Sequence, residues 1–297
     1  MQARLLVHTP LQAATARSLR AGERLRIGRA EDCDLRIDHP SVSRAHAELL
    51  PLEAGWRLCD LGSKNGSFVD GLRAQDAPLP NAGWLRFGDV HCEFRMLDAD
   101  QAARDAGAHR ERRAVATAHT ARIDRIEAIE ALLDASLRGA IELAQCERGF
   151  VLLREHGRLR VRHRLALAPE AMRAADFSGS VGAVDRALDR RVAVVANDIG
   201  GVEWLARRAS VIAAGISALV CLPLLDGDEV LGAIYVDRVR PGPPVTDLDL
   251  ALLEAFAERA ALWIAARRMR ALLEAPSAAD DALDWRGIAD GHGGTRW

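Results

Sequence analysis

Three polar, turn-rich clusters between Gly28 and Gly71 hold the side chains best suited to chemistry: Gly28-Arg29, Ser43-Arg44-Ala45-His46, and Gly62-Ser63-Lys64-Asn65-Gly66-Ser67-Phe68-Val69-Asp70-Gly71. Together they offer guanidinium, ammonium, hydroxyl and amide donors on loops between short apolar segments. A phosphorylated side chain carries about −1.5 to −2 charge at neutral pH, so several aligned donors must replace its water. Arg29 leaves a strand end and can fork onto phosphate oxygens. Ser43 supplies a hydroxyl, Arg44 a charge and a main-chain N–H, and Lys64 a point charge. Asn65 has both a donor and an acceptor with which to grip a peptide main chain. Gly28 and Gly66 read as turn glycines that support these loops. Arg73 reads first as a solvated charge and second as an extension of the basic rim. No Ser/His/Asp order, metal-ligand spacing or phosphate-binding glycine loop of the nucleotide type occurs, and Glu127 and Glu130 read as the solvated face of a helix. No catalytic residue, metal or cofactor is therefore expected.

The elements that must position these loops are legible in part. Residues 3–97 alternate short apolar runs with turn residues, at Leu5–His8, Leu25–Gly28, Asp34–Ile37, Ala47–Pro51, Trp56–Leu61, Phe68–Val69, Trp84–Phe87 and Val90–Leu97, the spacing of a β-sandwich. From 98 to 114 the chain is charged and nearly free of large apolar groups, which reads as a linker with some helix. Apolar residues then recur at threes and fours from Ile123 to Ile141, predicting one amphipathic helix of five or more turns. Strand-like runs follow at Phe150–Arg154 and Leu159–Leu167. A helix capped by a serine of Ser178-Gly179-Ser180 is expected over Val181–Asp189, then a short strand at Val192–Ala196. Ile216–Leu225 and Glu229–Val236 flank the turn Asp226-Gly227-Asp228. A last helix begins after Thr246-Asp247. The expectation is a multidomain chain: an all-β sandwich over 1–97, a linker over 98–114, an α+β domain with a central antiparallel sheet and flanking helices over 115–272, and a disordered tail over 273–297.

Composition narrows the partners. The 297 residues are 49% hydrophobic and 28% charged, with a net charge of −2, enough apolar content for two cores and too little basic excess for a dedicated nucleic-acid binder. No apolar run is long enough to span a membrane, and the N-terminus lacks the pattern of a signal peptide. Five cysteines are scattered without a CxxC pair, which suits a reducing, cytoplasmic setting. Lys64 is the only lysine; the arginine and alanine bias suggests a GC-rich genome.

The first region resembles the forkhead-associated (FHA) family, through Ile27-Gly28-Arg29, Cys33-Asp34-Leu35, Val42-Ser43-Arg44-Ala45-His46-Ala47, the run Trp56 to Gly71, and Leu85-Arg86-Phe87-Gly88-Asp89. The resemblance implies a sandwich that binds phosphothreonine peptides with the loops at one end, using Arg29, Ser43, Arg44, Lys64 and Asn65. Lys64 stands where the family often has a small polar residue. The resemblance also implies that His46 braces a loop; direct phosphate contact is the alternative.

The second region resembles a GAF domain, through Ala144 to Leu153, Val195-Ala196-Asn197-Asp198, Ala218 to Leu224 and Val230 to Asp237. That implies a module that dimerises or holds a small molecule over its sheet. Phe177, Asn197, Trp204 and Tyr235 are candidate pocket residues, with core packing or surface as the alternative. Cys146 and Cys221 read as buried apolar residues. The leading expectation is a non-catalytic adaptor. It would dock on a phosphothreonine-containing partner, such as a Ser/Thr kinase or its substrate, and pair into homodimers through the helices flanking the second region. The alternative is a small-molecule sensor whose ligand controls phosphate-independent contacts of the first domain.

Overall fold

The computed structural model describes residues 2–9, 12–155, 157–167, 180–197 and 215–274, the last four as backbone. Strands β1 (Gln2–His8), β2 (Thr15–Leu19), β7 (Ser67–Val69), β8 (Leu72–Ala74), β10 (Ala82–Phe87) and β11 (Val90–Leu97) form one sheet in the order β2-β1-β11-β10-β7-β8. The facing sheet, β4-β3-β5-β6-β9, is built from β3 (Leu25–Gly28), β4 (Leu35–Arg36), β5 (Ala47–Leu52), β6 (Gly55–Asp60) and β9 (Asp76–Pro78). Alternate residues point inward, and Leu5, Phe87 and Phe94 of the first sheet meet Ile27, Leu49, Trp56 and Leu58 of the second in one buried core. Burying a large apolar side chain of this kind contributes about 1.5–3 kcal/mol. Three strands carried no apolar alternation in the sequence: β2, β8 and β9. Each lies at a sheet edge, where one flank meets solvent and the burial that enforces alternation is weakest.

The segment read as a linker is the start of a 25-residue helix, α1 (Ala99–Ile123). Asp98 and Gln101 close a capping box at its N-terminus, each side chain satisfying the other's free backbone N–H. Only Ala116 and Ile123 of α1 are buried, so alanine content and the cap, rather than an apolar stripe, specify it. The single helix expected from Ile123 to Ile141 is instead broken, with α1 ending at Ile123 and α2 running Ile129–Leu143. Asp124, at the break, accepts from Arg259 Nε (2.7 Å) and Nη2 (2.9 Å) and from Trp263 Nε1 (2.7 Å). The apolar period survives the break because both pieces face the same core.

The second sheet-bearing unit has the order β13-β12-β16-β15-β14, from β12 (Arg148–Glu155), β13 (Arg158–Leu165), β14 (Val194–Ala196), β15 (Ala218–Asp226) and β16 (Glu229–Arg238). All its pairings are antiparallel, and Asp226 pairs with Glu229 across the expected two-residue turn. One face packs Val151, Val220, Ile234 and Val236 against α1, α2 and α4 (Asp247–Glu274). The other packs Phe150, Leu219, Cys221 and Tyr235 against α3 (Val181–Arg190). Ser180 caps α3 by accepting from the Ala183 N–H at 3.1 Å, and Thr246 and Asp249 cap α4 through mutual bonds. The tail beyond 274 lies outside the described residues.

The two units touch through the end of the β1–β2 connection. The Ala14 N–H donates to Val245 O at 2.9 Å and its carbonyl accepts from the Asp247 N–H at 3.0 Å. Ala13 is buried with the helix-side core of the second unit, and Arg4 pairs with Asp105 of α1 at 3.4 Å. Ala14→Pro deletes the donor to Val245, a loss of about 1 kcal/mol. Amide exchange at Asp247 is expected to quicken roughly fivefold, read by hydrogen–deuterium exchange; an unchanged rate would show that this joint does not hold the units together.

Candidate functional site

The three polar clusters converge at one end of the sandwich. Arg29 follows β3, its N–H donating to Ser43 O at 2.9 Å and its Nε directed at Val42 O at 3.4 Å. Ser43 Oγ accepts from the Lys64 N–H at 3.0 Å, which leaves its own hydroxyl proton free to point outward. Asn65 Nδ2 donates to Ser41 O at 2.7 Å, and among the described residues no hydrogen bond engages its Oδ1. Arg29, Arg44, Lys64 and Asn65 are exposed and Ser43 is half-buried. Among the described residues none of the three cations pairs with a carboxylate. The rim is therefore a set of uncompensated positive charges around a hydroxyl and an amide, an arrangement that favours a multiply charged anion.

His46 is fully buried beneath this rim. Its Nδ1 accepts from the Ser43 N–H at 3.0 Å, so Nε2 carries the proton and donates to Gly66 O at 3.2 Å. The ring thus ties the Ser43 loop to the Gly66 loop and leaves no nitrogen for a phosphate. Burial holds the His46 pKa below the usual imidazole value, outweighing the opposing pull of the Gly66 carbonyl and Asp60. Gly66 has φ +81°, a left-handed turn that suits glycine. Gly28 is not a turn glycine. It lies in β3 without a positive φ, and a Cβ there would meet the Arg44 carbonyl oxygen at 2.1 Å. What the position requires is space for that carbonyl, which also accepts from Cys33 Sγ.

Two residues that organise the loops escaped the sequence reading. Asp60 accepts from the Ser63 N–H (2.8 Å), Ser63 Oγ (2.6 Å) and Ser67 Oγ (2.6 Å), and Ser63 Oγ in turn accepts from the Gly66 N–H at 3.0 Å. Burial pushes the Asp60 carboxyl up, but these donors outweigh it and hold it below the usual carboxylate value. Ser41 Oγ accepts from the Asp89 N–H at 2.8 Å and bonds His39 Nδ1 at 2.7 Å, while its carbonyl holds Asn65. The Asp60-x-x-Ser63 spacing was a local turn signal; apart from the nearby His39, the groups that Ser41 ties together, Asn65 and Asp89, lie 24 and 48 residues away.

In the second unit, Tyr235 is fully buried and stacks on Phe150 at 4.8 Å between centroids, its hydroxyl accepting from the Ser180 N–H at 3.2 Å. Asn197 is spent on the chain itself, donating to Val245 O at 2.9 Å and accepting from the Val245 N–H at 2.6 Å. Phe177 and Trp204 lie outside the described residues. Asp237, fully buried on the Tyr235 face, pairs with Arg148 Nε at 2.5 Å; burial raises its pKa despite that guanidinium. Burial pushes the Cys146 thiol up to about 12 and Cys221 higher, so neither is a ready nucleophile. Among the described residues no group of His, Cys, Asp and Glu is placed to hold a metal ion, and no helix is long and apolar enough to cross a membrane.

A β-sandwich with an anion-receptive loop cluster, followed by a central antiparallel sheet between helices, defines a two-module chain. Family models match both modules, FHA domain over residues 25–88 and GAF domain over 128–264. The chain carries an FHA domain followed by a GAF domain. The chain is 34% identical over 94 residues to the FHA domain-containing protein FhaB of Mycolicibacterium smegmatis, covering 31% of this chain and 61% of that protein. It is 39% identical over 70 residues to the ABC transporter ATP-binding/permease protein Rv1747 of Mycobacterium tuberculosis, covering 24% of this chain and 8% of the transporter. The chain thus spans less than two thirds of either relative. A solved FHA domain from work on phosphothreonine-dependent FHA interactions is 28% identical, with a TM-score of 0.31, and covers 33% of this chain and 99% of its own.

Two outcomes follow from this geometry. A methyl at position 28 must displace the Arg44 carbonyl, so Gly28→Ala is expected to cost roughly 1–3 kcal/mol in urea unfolding. His46, with its folded pKa lowered, stabilises the fold fully above the unfolded value of about 6.5, and that stability is lost as the pH falls through this window. The denaturation midpoint is expected to drop between pH 7.5 and 5.5, less steeply in His46→Asn; equal slopes would remove His46 as the cause.

Proposed function

We propose that this protein is a non-catalytic signalling adaptor whose FHA domain docks on phosphothreonine-containing partner proteins. The observation that carries this reading is the convergence of Arg29, Arg44 and Lys64, all without carboxylate partners, on the outward Ser43 hydroxyl and the Asn65 amide. Arg29 and Ser43 take the phosphate oxygens, Lys64 and Arg44 add charge, and Asn65 Oδ1 accepts from the partner's main chain. The donors are held before the ligand arrives, because His46, Ser41 and Asp60 fix their loops, and preorganisation of this kind lowers the cost of binding. The match to the FHA family supports the same assignment.

The setting is Ser/Thr kinase signalling in the bacterial cytoplasm, with a kinase or its substrate as the phosphorylated partner. The GAF domain pairs two copies of the chain or senses a small molecule. Pairing is supported by the outward face of α4, where Leu262 and Met269, seven residues apart, are 53% and 60% exposed. A dimer would present two phosphate-reading ends and gain avidity for doubly phosphorylated partners.

Arg29→Ala and Ser43→Ala are each expected to abolish binding to phosphothreonine peptides in calorimetry; the exposed Arg29→Ala leaves stability nearly unchanged, and Ser43→Ala, which also loses the Lys64 N–H bond, costs about 1 kcal/mol without unfolding the protein. Undiminished binding by both variants would reject the site.

A further inference from the structure

The outer face of the first sheet carries a row of basic residues that the phosphothreonine site does not use. Strand register places His8 opposite His91, His91 opposite Arg86, Arg86 opposite Phe68 and Phe68 opposite Arg73. Directly opposed residues share a face, so five adjacent strands present His8, His91, Arg86, Phe68 and Arg73 side by side. Their sequence neighbours Val7, Leu85, Phe87, Val90 and Cys92 are buried in the sandwich, which fixes the row as outward. One guanidinium covers the Phe68 ring, and the other belongs to Arg73, its partner on the next strand. Arg86 lies 3.6 Å over the Phe68 centroid and donates to Gly88 O at 2.5 Å. The Arg73 Nε lies 3.0 Å from where a Gly66 Cβ would stand.

The row is continuous with the phosphate-reading loops. Lys64-Asn65-Gly66 leads directly into β7, which contributes Phe68, and the Gly88 N–H donates to Gly66 O at 3.1 Å. Neither Arg73 nor Arg86 pairs with a carboxylate among the described residues. Of the acidic residues three positions from either arginine, Asp70 Oδ1 accepts from the Trp84 N–H at 2.7 Å, Asp76 pairs with Arg57 at 3.2 Å, and Asp89 is exposed at the β10–β11 turn. Like charges brought together across strands are unfavourable. Here Phe68 and the Gly88 carbonyl hold the half-buried Arg86 in place, while Arg73 is exposed. That is the arrangement of a second anion site, preorganised and unneutralised.

We infer that Arg73 and Arg86 bind a second anionic side chain, carboxylate or phosphate, in the same protein segment that presents the phosphothreonine. The domain therefore selects phosphothreonines in acidic or multiply phosphorylated stretches. The inference rests on the phosphothreonine reading above and adds a determinant that Arg29 and Ser43 do not supply. Because the site is at the surface, its contribution is a preference, roughly threefold or more in affinity, and it weakens as salt rises.

The test uses the full chain and phosphothreonine peptide libraries with degenerate flanks, one containing Asp and Glu, one containing phosphoserine, and an unphosphorylated counterpart. Retained peptides from wild type are expected to be enriched in Asp, Glu or phosphoserine at one or more flanking positions. The variant R73Q/R86Q is expected to retain phosphothreonine peptides while losing that enrichment. The two library arms separate carboxylate from phosphate as the anion preferred. Retention without acidic enrichment, or enrichment that survives in R73Q/R86Q, overturns the inference alone. No preference for the phosphothreonine libraries over the unphosphorylated one overturns the phosphothreonine reading and this inference with it.

Discussion

The imidazole of His46 is the constraint on which the phosphate-reading end depends. It accepts from the Ser43 N–H at one nitrogen and donates to the Gly66 carbonyl at the other. The β4–β5 loop, which stays within the second sheet, and the β6–β7 loop, which crosses to the first, are thereby held at a fixed separation. The arrangement works only for a neutral ring of one tautomer, and complete burial enforces neutrality. Without this brace, Ser43 and Lys64 would be free to drift apart. The surplus positive charge of Arg29, Arg44 and Lys64 would then favour an open loop end over the closed one.

Around that brace, Ser41 and Asp60 divide the remaining work. Asp60 gathers Ser63 and Ser67 and so shapes the turn that presents Lys64 and Asn65. Ser41 joins Asn65 to the β10–β11 turn through its carbonyl and hydroxyl. Each of these groups is satisfied within the protein, and the outward cations are not. The contrast separates scaffold from reading surface: buried polar groups left unpaired would cost stability, whereas exposed unpaired cations cost little until an anion arrives. The GAF side follows a different logic. Tyr235 and Asn197, both candidates for a pocket, are engaged inside the fold, Asn197 in holding the segment on which Ala14 of the β1–β2 connection rests.

How much of this was legible in the sequence depended on whether a residue's partner was near in the chain. The sandwich core, the Asp226–Glu229 turn and the Ser180 cap rest on alternation or short-range chemistry and could be read directly. The edge strands β2, β8 and β9 could not, because an edge imposes no apolar period. α1 looked like a linker because its outward alanines and charges bury almost nothing, although Asp98 and Gln101 marked its start. The break falls at Asp124, whose partners Arg259 and Trp263 lie more than 130 residues away. Likewise Gly28 suggested a turn, when its real constraint is the carbonyl of Arg44 pressed against it. The residues facing the ligand were legible as a set, while the interactions that hold them in position were mostly not.

The central claim is that this loop cluster recognises phosphothreonine. The most direct test is a nitrogen-15 correlation spectrum of the full chain titrated with phosphothreonine and, separately, with threonine. The account predicts saturable shifts at the Arg29, Ser43, Lys64 and Gly66 amides with phosphothreonine only, and none at the buried amides of the GAF sheet. Shifts that are absent from those loops, or equal with threonine, would contradict it.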